Sequence, residues 1–320
     1  PLELIIAGNP LCQYFLSLLP LLQKYIIMGF KGIYKDKSSE AKVGILFLLI
    51  IVSLIIHTML AIALTMLFSD NGMTLIRNQD LTDQISVNYL KLMQLFSGIG
   101  LFITPTLLYS YLTNFDFKFS KITRQDTLLV VTIMMLVTPF VGLLLEWNMH
   151  IQFPEWFLRF DLNSEAIVKA FLKMPTILDL LYTLLVIAVV PAIGEELLFR
   201  GYLQQKIGDW LKTPHFAILL TGFLFSVIHL EPYGIIPRFV LGVLLGYLYY
   251  WSGNLWLPIL AHFVNNAQAI IFSYHLFKVD VGAYSIFSET KIDPILAFFS
   301  LASVMLLLYI LYRNLSINKK

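Results

Sequence analysis

Residues 43–68 read VGILFLLIIVSLIIHTMLAIALTMLF, a run without one Asp, Glu, Lys or Arg. A helix rises about 1.5 Å per residue, so roughly 20 apolar residues cross the ~30 Å hydrocarbon core of a bilayer. The run therefore reads as a transmembrane helix. Further segments of the same kind lie at 89–112, 127–146, 177–204, 215–230, 234–251, 255–277 and 294–312. The expected fold class is all-α, a polytopic membrane bundle of about eight transmembrane helices.

Composition agrees. Of 320 residues, 58% are apolar and 13% charged, whereas a soluble domain carries about 45–50% and 25%. The mean hydropathy is +0.78. Polar surface is too scarce to cover a water-soluble globule, and the chain is too apolar for disorder. A formal net charge of +2 without a dense basic run argues against nucleic acid as a partner. Cys12 is the single cysteine, which excludes an internal disulfide and a multi-thiolate metal site.

Lys and Arg gather on the side shared by both termini, among them Lys31, Lys35, Lys37, Lys118, Lys121 and Arg124, while Lys91, Arg159, Lys169, Lys173 and Arg238 fall on the other. Cytoplasmic loops carry the positive excess, so both termini are expected in the cytoplasm of a multi-pass protein of the cell inner (cytoplasmic) membrane. The chain divides into a leader and basic segment (1–42), N-terminal transmembrane helices with an outer interfacial segment (43–176), a core rich in intramembrane polar residues (177–277), and a last transmembrane helix with a cytoplasmic tail (278–320). Within the second part, DLNSEAIVKAFLKM (161–174) sets Leu162, Ile167, Val168, Phe171 and Leu172 near one helical face with charges opposite, the pattern of a short interfacial helix. Residues 1–30 are apolar, are broken by Pro10 and Pro20, and lack the charged start and small-residue cleavage site of a signal peptide. They receive no function.

An ionisable residue at the bilayer centre costs at least ~2.5–3.5 kcal/mol unless paired or hydrated. Three predicted spans carry such residues: GEELLFR (194–200), FSVIH (225–229) and HFVNN (262–266). Glu196 and Arg200 are four apart, which favours an intrahelical ion pair. Glu195 is turned about 100° away from that face and lacks the partner, as suits an acid or base. Phe225 lies four before His229 and is expected to pack over the imidazole. His262 and Asn266 share one stripe and can offer two side chains to one small target.

This set suits hydrolysis in a water-poor cavity. Glu195 and His229 would hold and deprotonate a water, while His262 and Asn266 donate to the developing oxyanion. A zinc site on Glu195, His229 and His262 would serve instead, lowering the pKa of bound water to ~7, and no cofactor is certain. Non-hydrolytic alternatives are a membrane binding or immunity protein with the cluster as docking site, and a transporter with a proton relay. No inverted repeat or matched pair of broken helices supports transport. Counted from the span ends, His262 and Asn266 lie near the midplane, Glu195 toward the cytoplasmic half and His229 toward the outer half. Convergence requires the fourth helix to continue past Gln204 toward Trp210, or the fifth to start later.

The block PxxxEELLFRGYL (191–203), FxxxH (225–229) and LGYLYYWSGNLWLPILAHFVNN (245–266) resembles the CPBP (CAAX protease and bacteriocin-processing, or Abi) family of intramembrane proteases, which includes the type II CAAX prenyl endopeptidases. The resemblance covers about a third of the chain and matches EExxxR, FxxxH and HxxxN in order. It implies a membrane hydrolase, often classed as a metallopeptidase, acting on a protein or peptide in or at the lipid bilayer. It further implies that Glu195 and His229 activate water, that His262 and Asn266 form the oxyanion site, and that Glu196 and Arg200 support them. It leaves the need for metal open.

Overall fold

The computed structural model describes residues 29–278 and 291–317. Most of the leader and the end of the tail, with Cys12, Lys24, Lys319 and Lys320, lie outside the described residues. Among the described residues every regular element is helical: α1 (Ser39–Phe68), α2 (Gly72–Asn78), α3 (Gln84–Thr113), α4 (Arg124–Met149), α5 (Glu155–Phe171), α6 (Ile177–Leu211), α7 (Pro214–Val227), α8 (Pro232–Ser252), α9 (Trp256–Lys278) and α10 (Pro294–Ile317).

Six of these, α1, α3, α4, α6, α8 and α10, are long and apolar enough to cross a membrane. The other two expected spans differ. The fifth, at 215–230, is the 14-residue α7, about 21 Å long and short of the hydrocarbon thickness. It stops before His229, which lies on the connection to α8. The seventh is the 23-residue α9, long enough but carrying His262, Asn265, Asn266 and Gln268 along its middle. A count of six is what length and composition support.

Capping side chains set several starts. Ser38 accepts from the Ala41 N–H, Asp83 from Ser86, and Thr123 from Asp126, while Thr176 and Asp179 form a reciprocal capping box. Such caps satisfy amide donors that the first turn leaves orphaned. They explain why α3 begins at Gln84 rather than at 89, and α4 at Arg124 rather than at 127. The amphipathic helix expected at 161–174 begins earlier, after Pro154, and ends at Phe171 ahead of Pro175. The short α2 was not expected in the polar connector at 69–88.

Proline shapes the long helices. It lacks an N–H and clashes with the preceding turn. A π-helical stretch, Ile99–Ile103, precedes Pro105 in α3, and another, Leu184–Val189, precedes Pro191 in α6; α4 is interrupted at Val137 before Pro139. The fourth expected span runs on to Leu211 as a 35-residue helix, past its predicted end at Gln204. That extension removes the mismatch in depth, because it moves Glu195 away from the helix end.

Two close approaches bring the site helices together. A Cβ on Gly194 would meet Phe102 Cβ at 2.7 Å, so α3 can lie against α6 there. A Cβ on Gly242 would come within 3.0 Å of Gly222 Cα, so α7 and α8 cross nearly backbone to backbone. Beneath the site, Phe199, Tyr202, Phe225, Tyr249, Leu255 and Ile259 pack as one buried cluster. A second cluster joins α4, α8, α9 and α10 through residues such as Ile133, Leu248, Ala261 and Val304. On α1, by contrast, Phe47, Ile55 and Met59 are exposed, as a lipid-facing helix requires.

The segment before α1 is strapped to the end of α3 by Gly32 N–H to Tyr111 O and Tyr34 N–H to Leu112 O, both 2.9 Å. This brings Lys31, Lys35 and Lys37 to the end of α3 that also leads to Lys118, Lys121 and Arg124. Lys91, counted above with the loop charges, is instead fully buried in α3, where its ammonium donates to Thr183 Oγ1 at 2.8 Å.

Candidate active site

On α6, Glu196 and Arg200 pair as their spacing predicts, with Arg200 Nη1 donating to Glu196 Oε1 at 2.6 Å and both side chains fully buried. Nη2 of the same guanidinium donates to Gly242 O of α8 at 2.9 Å, and its carbon lies 4.6 Å from the centroid of the Phe225 ring. A buried ion pair stands only when its remaining hydrogen-bonding capacity is largely used. Here a backbone carbonyl and an aromatic face take up part of it.

A second bond was not foreseen. His262 Nδ1 lies 2.8 Å from Glu196 Oε1. With Glu196 ionised beside Arg200, the Nδ1–H is the donor, which fixes the imidazole and leaves Nε2 on its other edge. Nε2 lies 3.9 Å from Glu195 Oε2. The adjacent glutamates thus divide as the helical angle requires, one tied to Arg200 and His262, the other turned toward a cavity. Glu195 Oε2 is buried and receives no hydrogen bond from any described residue.

His229 is reached from α7, with its Nδ1 2.7 Å from Phe225 O. The Phe225 ring meets both imidazoles, its centroid 5.1 Å from that of His229 and 5.7 Å from that of His262. The phenyl group expected to pack over His229 therefore also separates and orients the two histidines.

Asn266 completes the stripe on α9. Pro191 has no N–H to give to Ile187 O, four residues earlier, and Asn266 Nδ2 donates to that carbonyl at 2.9 Å. Asn265 Nδ2 in turn donates to Asn266 Oδ1 at 3.1 Å.

Glu195, His229, His262 and Asn266 line a single cavity of about 570 Å³, to which α3, α5 and α8 also contribute. Sequence reading missed two of its charged residues, Glu231 and Arg238, which form an ion pair at its wall. It also missed Asn148, fully buried on α4. The Asn148 amide donates to Pro232 O and its Oδ1 accepts from Ile236 N–H, both at 2.8 Å, anchoring the start of α8 just after His229. The one available signal was an asparagine near the end of an apolar span.

A metal fits this arrangement poorly. Among the described residues no three His, Cys, Asp or Glu side chains gather closely enough to hold an ion, although Glu195, His229 and His262 share the cavity.

Comparison with known proteins bears on the same stretch. Residues 177–268 match the family described as type II CAAX prenyl endopeptidase Rce1-like. Two uncharacterized proteins of Bacillus subtilis (strain 168) are similar in sequence. YpbD is 33% identical over 118 residues, covering 35% of this chain and 55% of YpbD. YyaK is 30% identical over 132 residues, covering 38% of this chain and 44% of YyaK. The chain thus spans about half the length of these curated relatives, and no solved structure matches it. The matched stretch holds all three motifs in order, and over it the chain is similar to the type II CAAX prenyl endopeptidase Rce1-like family.

Proposed function

We propose that this chain is an intramembrane endopeptidase that cleaves a peptide bond of a membrane-associated protein or peptide by direct activation of water. The observation that carries this reading is the Glu195 carboxylate, whose Oε2 is buried without a hydrogen-bond donor, beside His262 Nε2 in a cavity that His229 and Asn266 also line.

In the reaction, Glu195 and the free edge of His229 hold a water against the scissile carbonyl. As the water oxygen bonds to carbon, its proton passes to Glu195, and negative charge collects on the former carbonyl oxygen. His262, an imidazolium throughout with its Nδ1–H on Glu196, donates its Nε2–H to that oxyanion together with the second N–H of the Asn266 amide. Glu195 then returns the proton to the departing nitrogen as the C–N bond breaks, releasing a new carboxyl and a new amine. Arg200 and Glu196 act at a distance, since they fix the His262 ring through Nδ1. General acid–base work of this kind contributes about 10²–10⁴-fold, and one oxyanion donor about 10²–10³-fold.

In this reading the chain crosses the inner membrane eight times, with α7 and α9 completing the bundle around the cavity and both termini in the cytoplasm. The test is comparative mapping of protein termini in a strain lacking the chain and a strain carrying Glu195→Gln. Both should lose the same processed terminus of a membrane protein, while the variant accumulates at normal levels. If Glu195→Gln retains full biological activity, the cluster is a docking site and the protein is not a protease.

A further inference from the structure

The catalytic cluster occupies only one end of the cavity. The rest runs along α6 past Pro191 to Val186, with α3 and α5 as facing walls. Along this stretch α3 and α6 keep a constant register. Lys91 meets Thr183, 92 residues further along the chain, and the same offset pairs Gly98 with Val190 and Phe102 with Gly194. Gln94 therefore stands level with Val186, and Glu195 with Ile103. At about 1.5 Å per residue, the two levels are ~13 Å apart along the helix axis.

Gln94 is an unusual residue to find here. It lies in the first half of a membrane-crossing helix, lines the cavity and is exposed rather than packed away among its neighbours. Among the described residues its carboxamide forms no hydrogen bond. An amide in an apolar wall without a partner costs free energy, whereas one partner chemistry satisfies it fully. The carboxamide carries an N–H and a C=O side by side, as does each residue of an extended peptide. Ser164 of α5 adds a hydroxyl to the same cavity. A helical substrate has no free backbone groups to offer, so the pairing selects a strand-like segment, the form in which a scissile carbonyl is open to attack.

We infer that Gln94 is a substrate-binding residue that grips the backbone of an extended peptide about four residues from the scissile bond, since an extended chain advances ~3.3 Å per residue over the ~13 Å between the two levels. The inference rests on the proteolytic reading and adds to it the conformation and the minimum length of the segment bound.

The test uses the full chain in proteoliposomes with a pool of internally quenched, apolar twelve-residue peptides. Members that are cleaved define the scissile bond and are then resynthesised with one backbone N–H at a time replaced by N-methyl. Gln94→Leu should raise KM about tenfold or more and leave kcat within about twofold. One N-methyl position, about four residues from the scissile bond, should weaken binding to the unaltered protein and have no further effect on Gln94→Leu. A purely structural role would not single out one substrate position, and Gln94→Met provides a second variant of similar shape should leucine disturb folding. If the pool is cleaved and both variants keep the original KM, the inference is overturned while the proteolytic reading stands. If the unaltered protein cleaves no member of the pool, the proteolytic reading fails and this inference with it.

Discussion

The first and fourth predicted spans, α1 and α6, are both longer than a bilayer needs, at 30 and 35 residues, yet they are built on opposite plans. α1 is α-helical throughout, contains no proline and turns residues such as Phe47 and Ile55 outward. Its single titratable group within the apolar run, His57, bonds to Ser53 O at 2.8 Å and to Thr104 Oγ1 at 3.3 Å. α6 holds Glu195, Glu196 and Arg200, has Pro191 one turn before them, and changes twice to π-helical winding. Where a helix only faces lipid, regular winding satisfies every backbone group. Where it must present charges to a cavity, the winding is distorted and neighbouring side chains take up the groups set free. Distortion and charge therefore coincide on the helix that carries the proposed active site.

That contrast can be broken experimentally, and the largest effect is expected on α6. Glu195→Gln should lower kcat/KM about 10²–10⁴-fold, the usual worth of a general acid–base group, with thermal unfolding in detergent unchanged. A variant that cleaves normally would deprive α6 of its special role. Next in size, Arg200→Leu leaves Glu196 as an uncompensated buried charge and should cost about 3–5 kcal/mol, read as a loss of folded protein. Preserved stability would mean that the pair contributes little. Asn148→Leu strands Pro232 O and Ile236 N–H, each worth about 1–3 kcal/mol when buried and unpaired. Its melting temperature should fall, and its activity should fall further through the displaced His229 loop; Asn148→Asp, which keeps the acceptor, should be milder. The smallest change is expected on α1, where Ile55→Ala on the lipid face should stay within about 0.5 kcal/mol. A large loss there would show that α1 packs against a partner in the membrane.

Local spacing carried much of the site. Four-residue intervals foretold the Glu196–Arg200 pair and the contact of Phe225 with His229, and the one-residue angle foretold that Glu195 would face elsewhere. What spacing cannot show is contact between helices. The bond from His262 to Glu196 joins residues 66 apart, and Asn148 reaches across 84 positions to Pro232. Neither follows from any periodicity. Span lengths were misjudged for a related reason. Apolar residues continue through the α7–α8 turn, so hydropathy extended the fifth segment to 230 although the helix stops at Val227. The polar residues Gln204 and Gln205 closed the fourth segment too soon, although Gln204 Nε2 donates to Gly246 O at 3.0 Å inside the bundle. A buried glutamine with a partner continues a helix as readily as leucine does.

The Asn266 amide has a double allegiance that alters how substitutions near it should combine. Proline at 191 withdraws a donor from the chain, and asparagine at 266 restores one from another helix, so the two positions act as lock and key for a single carbonyl. Replacing Pro191 by alanine would return the missing N–H and leave the amide idle, so the loss caused by Asn266→Ala should be smaller in that background. Energies at these two positions should therefore fall short of their sum, linking the start of the first motif to the end of the last without a charge between them.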